Sequence, residues 1–194
     1  MVRTDGIRAL VVDTLQSARP QASRFPLNPP LVRSFAPVVD TRARVLVLGS
    51  MPGVASLDAD RYYAHPRNLF WPIMGALFGF DATLPYPERL ARIGAAGVAL
   101  WDVAGECVRP GSLDARIEAG SVVANDIAGL LARYPDITRV RFNGAAAETL
   151  FRRHALGTLD PVPDLLRLPS TSPAHAAMGF EAKLAAWRAG LERN

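Results

Sequence analysis

The chain has 194 residues, enough for one ordinary domain and too few for two well-cored ones. Hydrophobic residues make up 49% and charged residues 21%, a balance that excludes a disordered or collagen-like chain. No apolar run approaches the roughly 20 residues of a membrane span, and the formal charge of +4 leans toward a polyanionic partner without demanding one. That charge comes from twenty-one arginines and one lysine, Lys183. Cys107 is the one cysteine, and His65, His154 and His175 are scattered. An internal disulfide, a zinc site built on several thiolates and a cysteine-ligated iron–sulfur cluster are therefore excluded, and neither metal nor cofactor is expected.

Residues 1–33 read as an extension. Pro20, Pro26, Pro29 and Pro30 mark an irregular stretch, while Ile7, Leu10, Val11 and Leu15 predict one short helix after Thr4 or Asp5. The apolar run in it is broken by Arg8 and flanked by acids, unlike a signal or transit peptide, so a cytoplasmic location is expected. One domain is expected over 34–194. Val45–Leu48, Val98–Trp101, Val140–Phe142 and Leu165–Leu168 read as strands covered on both faces.

Helical stripes lie between and after the strands. Ile73, Met74, Leu77 and Phe78 form one, and Leu90 with Ile93 a weaker one. Val123, Ile127, Leu130, Leu131 and Tyr134 form a third, and Ala147, Leu150 and Phe151 a fourth. Phe180, Leu184, Trp187 and Leu191 close the chain. This alternation predicts a parallel sheet between helical layers, with ligands at the carboxyl ends of the strands.

Each predicted strand runs into a distinctive segment. The first meets Gly49-Ser50-Met51-Pro52-Gly53, a tight turn that matches neither a P-loop nor a dinucleotide fingerprint. Downstream stands Tyr62-Tyr63-Ala64-His65-Pro66-Arg67-Asn68-Leu69-Phe70-Trp71, which either lines a pocket or caps the core with Asn68 as a helix cap. The second strand ends at Asp102, which either serves catalysis or anchors Arg109; Cys107, lacking a His or Lys neighbour in sequence, reads as a buried thiol. Asn143-Gly144 follows the third strand, with the carboxamide of Asn143 either capping a helix or facing the pocket. The fourth runs into Pro169-Ser170-Thr171-Ser172-Pro173-Ala174-His175, a stiff, hydroxyl-rich loop suited to phosphates or to a plain turn.

Taken together, Gly49–Gly53, Tyr63–Trp71, Phe142–Gly144 and Pro169–Ala174 resemble the uracil-DNA glycosylase superfamily, and within it the hypoxanthine-DNA glycosylase branch. The similarity runs from about Phe35 to about Trp187. It implies a three-layer α/β/α sandwich around a four-stranded parallel sheet. It also implies a monofunctional, monomeric enzyme that flips a deaminated base (hypoxanthine, with uracil as a possible second) from double-stranded DNA and hydrolyses its N-glycosidic bond, without metal or cofactor. Such an enzyme belongs with the nucleoid.

Mismatch-specific relatives carry an Asn in the first motif that positions the attacking water. Met51 stands in that place, and a thioether cannot hold such a water. The resemblance moves the role to Asn68, with Asp102 in reserve. It implies base contacts from Gly49, Ser50, Met51, Tyr63, Phe70 and Asn143, with Phe70 as stacking platform and the Asn143 carboxamide pairing a carbonyl and adjacent N–H. Ser170, Thr171, Ser172, Pro173 and His175 would grip DNA. The alternatives are a uracil/thymine mismatch-specific glycosylase, and a module that binds damaged DNA without cutting.

Overall fold

The computed structural model describes residues 31–192. The expected helix over Ile7–Leu15 and the prolines of the extension lie outside the described residues. The strands are Leu31–Arg33 (β1), Val45–Gly49 (β2), Val98–Asp102 (β3), Ala104–Val108 (β4), Val123–Ala124 (β5), Arg139–Asn143 (β6) and Asp164–Leu168 (β7). The α-helices are Val54–Ala59 (α1), Phe70–Phe78 (α2), Tyr86–Ala95 (α3), Ile127–Arg133 (α4), Ala145–His154 (α5) and Phe180–Glu192 (α6).

β2, β3, β6 and β7 form a parallel sheet in the order β3-β2-β6-β7, the four strands expected, each extended by a residue or two. Alternation along β2 divides the core in two. Leu46 and Leu48 point to one face, where Ile127 and Leu130 of α4 and Ala147 and Phe151 of α5 cover them. Val45 and Val47 point to the other, under α2, α3 and α6 through Trp71, Ile73, Met74, Ile93, Trp187 and Leu191. All four β2 side chains are essentially inaccessible, each contributing about 1.5–3 kcal/mol if wholly buried on folding. The result is the three-layer sandwich.

A second sheet was not anticipated. β1, β4 and β5 form an antiparallel sheet in the order β1-β4-β5. Val32, Ala104 and Cys107 from it pack with Met51 in a separate small core. Leu31–Arg33 therefore pairs with the described fold, although the expected domain began at 34. Val123, placed by its spacing in a helical stripe, lies instead in β5 and is exposed. The helix starts only after Asp126, whose side chain accepts the Gly129 N–H at 2.9 Å and so fixes the boundary.

α2 begins Phe70-Trp71-Pro72. Proline is tolerated there because first-turn N–H groups have no partner inside the helix. α6 is tied to β6 by Arg141. This buried guanidinium donates to the Gly190 carbonyl at 2.5 Å and to the Asp164 carboxylate at 2.8 Å.

Candidate active site

The carboxyl ends of β2, β3, β6 and β7 open into a cleft of about 150 Å³. The Gly49–Gly53 turn, Tyr62, Tyr63, His65, Asn68, Asp102, Asn143 and the Ser170–Pro173 loop line it, with Ser112 and Asp114 at the rim. Gly49–Gly53, Tyr63–Trp71, Phe142–Gly144 and Pro169–Ala174, the four segments that carry the resemblance, each place residues there. A larger cavity of about 630 Å³ lies beyond the amino ends of β6 and β7, lined largely by apolar residues of α4 and the Thr158–Asp164 segment. It holds none of the expected site residues.

The first turn is clamped from outside the parallel sheet. Arg109, fully buried just after β4, donates to the Met51 carbonyl at 3.3 Å, to the Pro52 carbonyl, and to Gly111 at 2.9 Å. The expected anchoring of Arg109 by Asp102 is not what fixes it: its carboxylate neighbour is Asp114, at 3.9 Å, which in turn accepts from the Ser50 hydroxyl at 2.7 Å. These bonds hold Ser50 and Met51 at the cleft. The Met51 side chain packs into the small core against Cys107, and Cys107 is a buried thiol as expected.

The aromatic segment is held in an unusual conformation. Tyr63 has φ +56°, a left-handed geometry costing a non-glycine residue about 1–2 kcal/mol. Its ring stacks on Phe70 with centroids 3.9 Å apart. Phe70 is wholly inaccessible, covered by Tyr63 on one side and by the edges of Trp71 and Trp187 elsewhere. Phe70, expected as a stacking platform, is therefore closed off from the cleft: Tyr63 lines it, and Phe70 stacks behind Tyr63.

Asn68 sits at the entrance to α2. Its Oδ1 accepts the Phe70 N–H at 3.0 Å, and its own N–H donates to the His65 carbonyl at 2.8 Å. The Phe70 bond satisfies one orphan donor of the helix and fixes which end of the carboxamide carries oxygen. A second lone pair of Oδ1 remains beyond that bond. The capping and cleft-lining readings of this residue are thus compatible.

Asn143 lines the cleft and is bonded to Thr171, which corrects the expectation for Thr171. Asn143 Nδ2 donates to Thr171 Oγ1 at 2.9 Å, and its Oδ1 accepts the Thr171 N–H at 2.8 Å. Thr171 thus engages one donor and one acceptor of the carboxamide expected to meet a base. Thr171 is itself inaccessible, with its carbonyl accepting the Leu69 N–H, so it clamps β6 to α2 and cannot grip a phosphate. Gly144 permits the clamp: its φ is +101°, and a Cβ there would come within 2.8 Å of the Ser170 Cβ.

The rest of the loop stays open. Ser170 Oγ accepts the Ser172 N–H and Ser172 Oγ accepts the Ala174 N–H, both at 3.2 Å, which leaves both hydroxyl protons to donate outward. His175 is exposed and does not line the cleft; its carbonyl accepts from Lys183 Nζ at 2.7 Å. Lys183 is buried, and burial lowers its pKa. Together with Trp187, which donates to the Pro169 carbonyl at 3.0 Å, it moors the loop to α6.

Asp102 forms part of the cleft wall. It is 3% exposed, its Oδ2 has no hydrogen-bond partner, and burial pushes its carboxyl up to about 7. Gly49 lies opposite in the β2–β3 register, and a Cβ there would overlap Asp102 Oδ1. The Tyr63 hydroxyl is likewise buried without a partner, and burial, with the Asp102 charge, holds it well above the usual phenol range.

A family model described as the uracil DNA glycosylase superfamily matches residues 36–190, spanning all four converging segments. The chain belongs to the uracil DNA glycosylase superfamily. It is 31% identical over 162 residues to a hypoxanthine DNA glycosylase of Methanosarcina barkeri, covering 83% of this chain and 88% of that protein. A second hypoxanthine DNA glycosylase, from Methanosarcina acetivorans, is 34% identical over 116 residues, covering 59% and 72%. A solution NMR structure of a candidate uracil DNA glycosylase from Methanosarcina acetivorans shares the superfamily fold, with a TM-score of 0.68 and 30% identity. That match covers 84% of this chain and 97% of the other.

Sequence reasoning missed Arg109 as the clamp of the first turn and Lys183 as the mooring of the loop. A lone lysine on an otherwise apolar stripe beside Leu184 and Trp187 was the available signal for the second.

Proposed function

We propose that this superfamily member is a DNA glycosylase that removes hypoxanthine from deoxyinosine, with uracil as a second substrate, leaving an abasic site. The observation that carries the reading is the convergence of the four segments on one cleft, in a chain whose curated relatives are named hypoxanthine DNA glycosylase. A base within a duplex cannot enter such a cleft, so it must leave the stack, at a cost lowest for a mispaired base.

In the proposed reaction the C1′–N bond breaks, the base departs with the bonding pair, and water supplies hydroxyl to C1′. The departing base takes up a proton, balancing the one lost by the water. Because the sugar becomes oxocarbenium-like as the bond lengthens, little nucleophilic push is needed. An amide suits that demand. Asn68, its oxygen end fixed by the Phe70 N–H, accepts from the water through its remaining lone pair and orients it. Tyr63 offers its outer face to the base, a stack worth about 1–3 kcal/mol in nucleic-acid sites. Ser170 and Ser172 donate to the flanking phosphates.

End-labelled duplexes carrying one deoxyinosine or one deoxyuridine, treated with alkali after incubation, test this directly. Wild type should cut at deoxyinosine, and Asn68→Ala should lower the rate by about 10²-fold or more. Cutting that survives the substitution would move the water to Asp102. Folded wild type that cuts neither lesion would refute the enzyme and leave a damaged-DNA-binding module.

A further inference from the structure

We propose that Asp102 is the group that reads the base: as a neutral acid it donates to the base's carbonyl oxygen and accepts from the adjacent ring N–H. This rests on the glycosylase reading above and adds to it the source of base recognition.

Three observations place the role there. Asp102 is on the cleft wall, and its Oδ2 is buried without a hydrogen-bond partner. A buried polar atom left unpaired is costly, and an incoming base could satisfy it. Gly49 leaves the space that Asp102 Oδ1 occupies, so the side chain has no bulk beside it on the β2 side. Finally, of the two carboxamides that line the cleft, Asn143 already bonds Thr171 through both its amide nitrogen and its oxygen, and the remaining lone pair of Asn68 Oδ1 is given to the attacking water in the reading above. A carboxylic acid presents the same donor–acceptor pair as a carboxamide, provided it keeps its proton.

The surroundings favour the proton. Burial pushes the Asp102 carboxyl up to about 7; the Tyr62 hydroxyl and Arg109 pull it down, and the Asp114 carboxylate adds to the rise. Tyr63, from the same segment as Tyr62, stays neutral throughout the relevant range. His65 lines the same cleft.

The role has a signature opposite in sign to general-base catalysis. A reader loses its donor as it ionises, so binding weakens as pH rises; a base gains function over the same interval. A group titrating near 7 keeps about a tenth of its acid form at about pH 8, so base-dependent binding should fall about tenfold between about pH 6 and about pH 8.

The probe is a duplex carrying one 2′-fluoro-deoxyinosine, whose fluorine opposes the oxocarbenium-like state and preserves the glycosidic bond. A matched duplex with 2′-fluoro-deoxyadenosine gives the non-specific baseline. Wild type should show the tenfold fall above that baseline. Asp102→Asn, which carries the pair at every pH, should bind within about threefold of wild type at about pH 6 and lose the pH dependence. Asp102→Ala should bind at least about tenfold more weakly at the lower pH. Unfolding midpoints confirm that each variant is folded. Asp102→Asn binding as weakly as Asp102→Ala, wild-type binding that is flat or rises with pH, or a pH dependence that persists in Asp102→Asn would each overturn the proposal. Wild-type cutting of ordinary deoxyinosine is read separately, so loss of the glycosylase reading and loss of the Asp102 role remain distinct results.

Discussion

Replacing Gly49 with alanine should destabilise the protein through one identifiable overlap. The added Cβ would collide with Asp102 Oδ1, with Asp102 Cγ at 3.6 Å and the Tyr63 hydroxyl at 3.7 Å close behind. Asp102 is packed into the cleft wall at 3% exposure, so relief requires rotating its carboxyl out of that packing or parting β2 from β3. Overpacking of this kind costs about 1–3 kcal/mol. In a chain of 194 residues each kcal/mol moves Tm by about 2–4 °C, so the variant should melt about 2–12 °C lower. Adding Asp102→Ala removes the colliding oxygen, and the double variant should recover about 1 kcal/mol or more relative to the sum of the single changes. Gly53→Ala is the control within the same turn: its nearest neighbour would be Ser112 Cβ at an ordinary 3.6 Å, at a φ of −71°, and it should be near neutral. Thermal unfolding of these variants completes the measurement. A Gly49→Ala protein melting within about 1 °C of wild type, or strictly additive effects of the two changes, would refute the reasoning.

The raised Asp102 carboxyl also makes stability pH-dependent. The folded state holds its proton up to about 7 whereas the unfolded chain releases it near 3.8, so stability declines as pH rises through that interval, by about 4 kcal/mol in all; unfolding curves of Asp102→Asn should lack this decline. Arg109→Met leaves the carbonyls of Met51, Pro52 and Gly111 without their donor, at about 1–3 kcal/mol for each that stays dry, and urea midpoints should fall together with the cleavage rate. Lys183→Met keeps the apolar packing but frees the His175 carbonyl, and should cost about 1 kcal/mol in stability while weakening duplex affinity through a looser Ser170–His175 loop.

The parallel sheet was legible because β2 and β3 open as unbroken apolar runs, and β6 and β7 keep short apolar runs interrupted by Arg141 and Arg167. The antiparallel sheet was not. β5 has two residues and β1 three, so their pairing with β4 depends on contacts remote in sequence rather than on any local period. Val123 fitted a helical spacing by position alone, and only the Asp126 cap excludes it. In the cleft, the residue types were readable but their partners were not. Nothing in the order of Tyr63 and Phe70 says which ring of a stacked pair faces outward, and nothing in Asn143 says that Thr171, 28 positions later, occupies both ends of its amide.

The mooring of the Ser170–His175 loop has a consequence for how the surface charge is governed. With the sole lysine folded inward, every solvent-facing side-chain cation that stays charged above neutral pH is a guanidinium. Acetylation, which discharges amines, has no exposed lysine on which to act, and guanidinium groups keep their protons across any ordinary pH. The cationic side chains offered to a polyanion are therefore fixed by composition, leaving ionic strength as the lever on their non-specific attraction for a duplex.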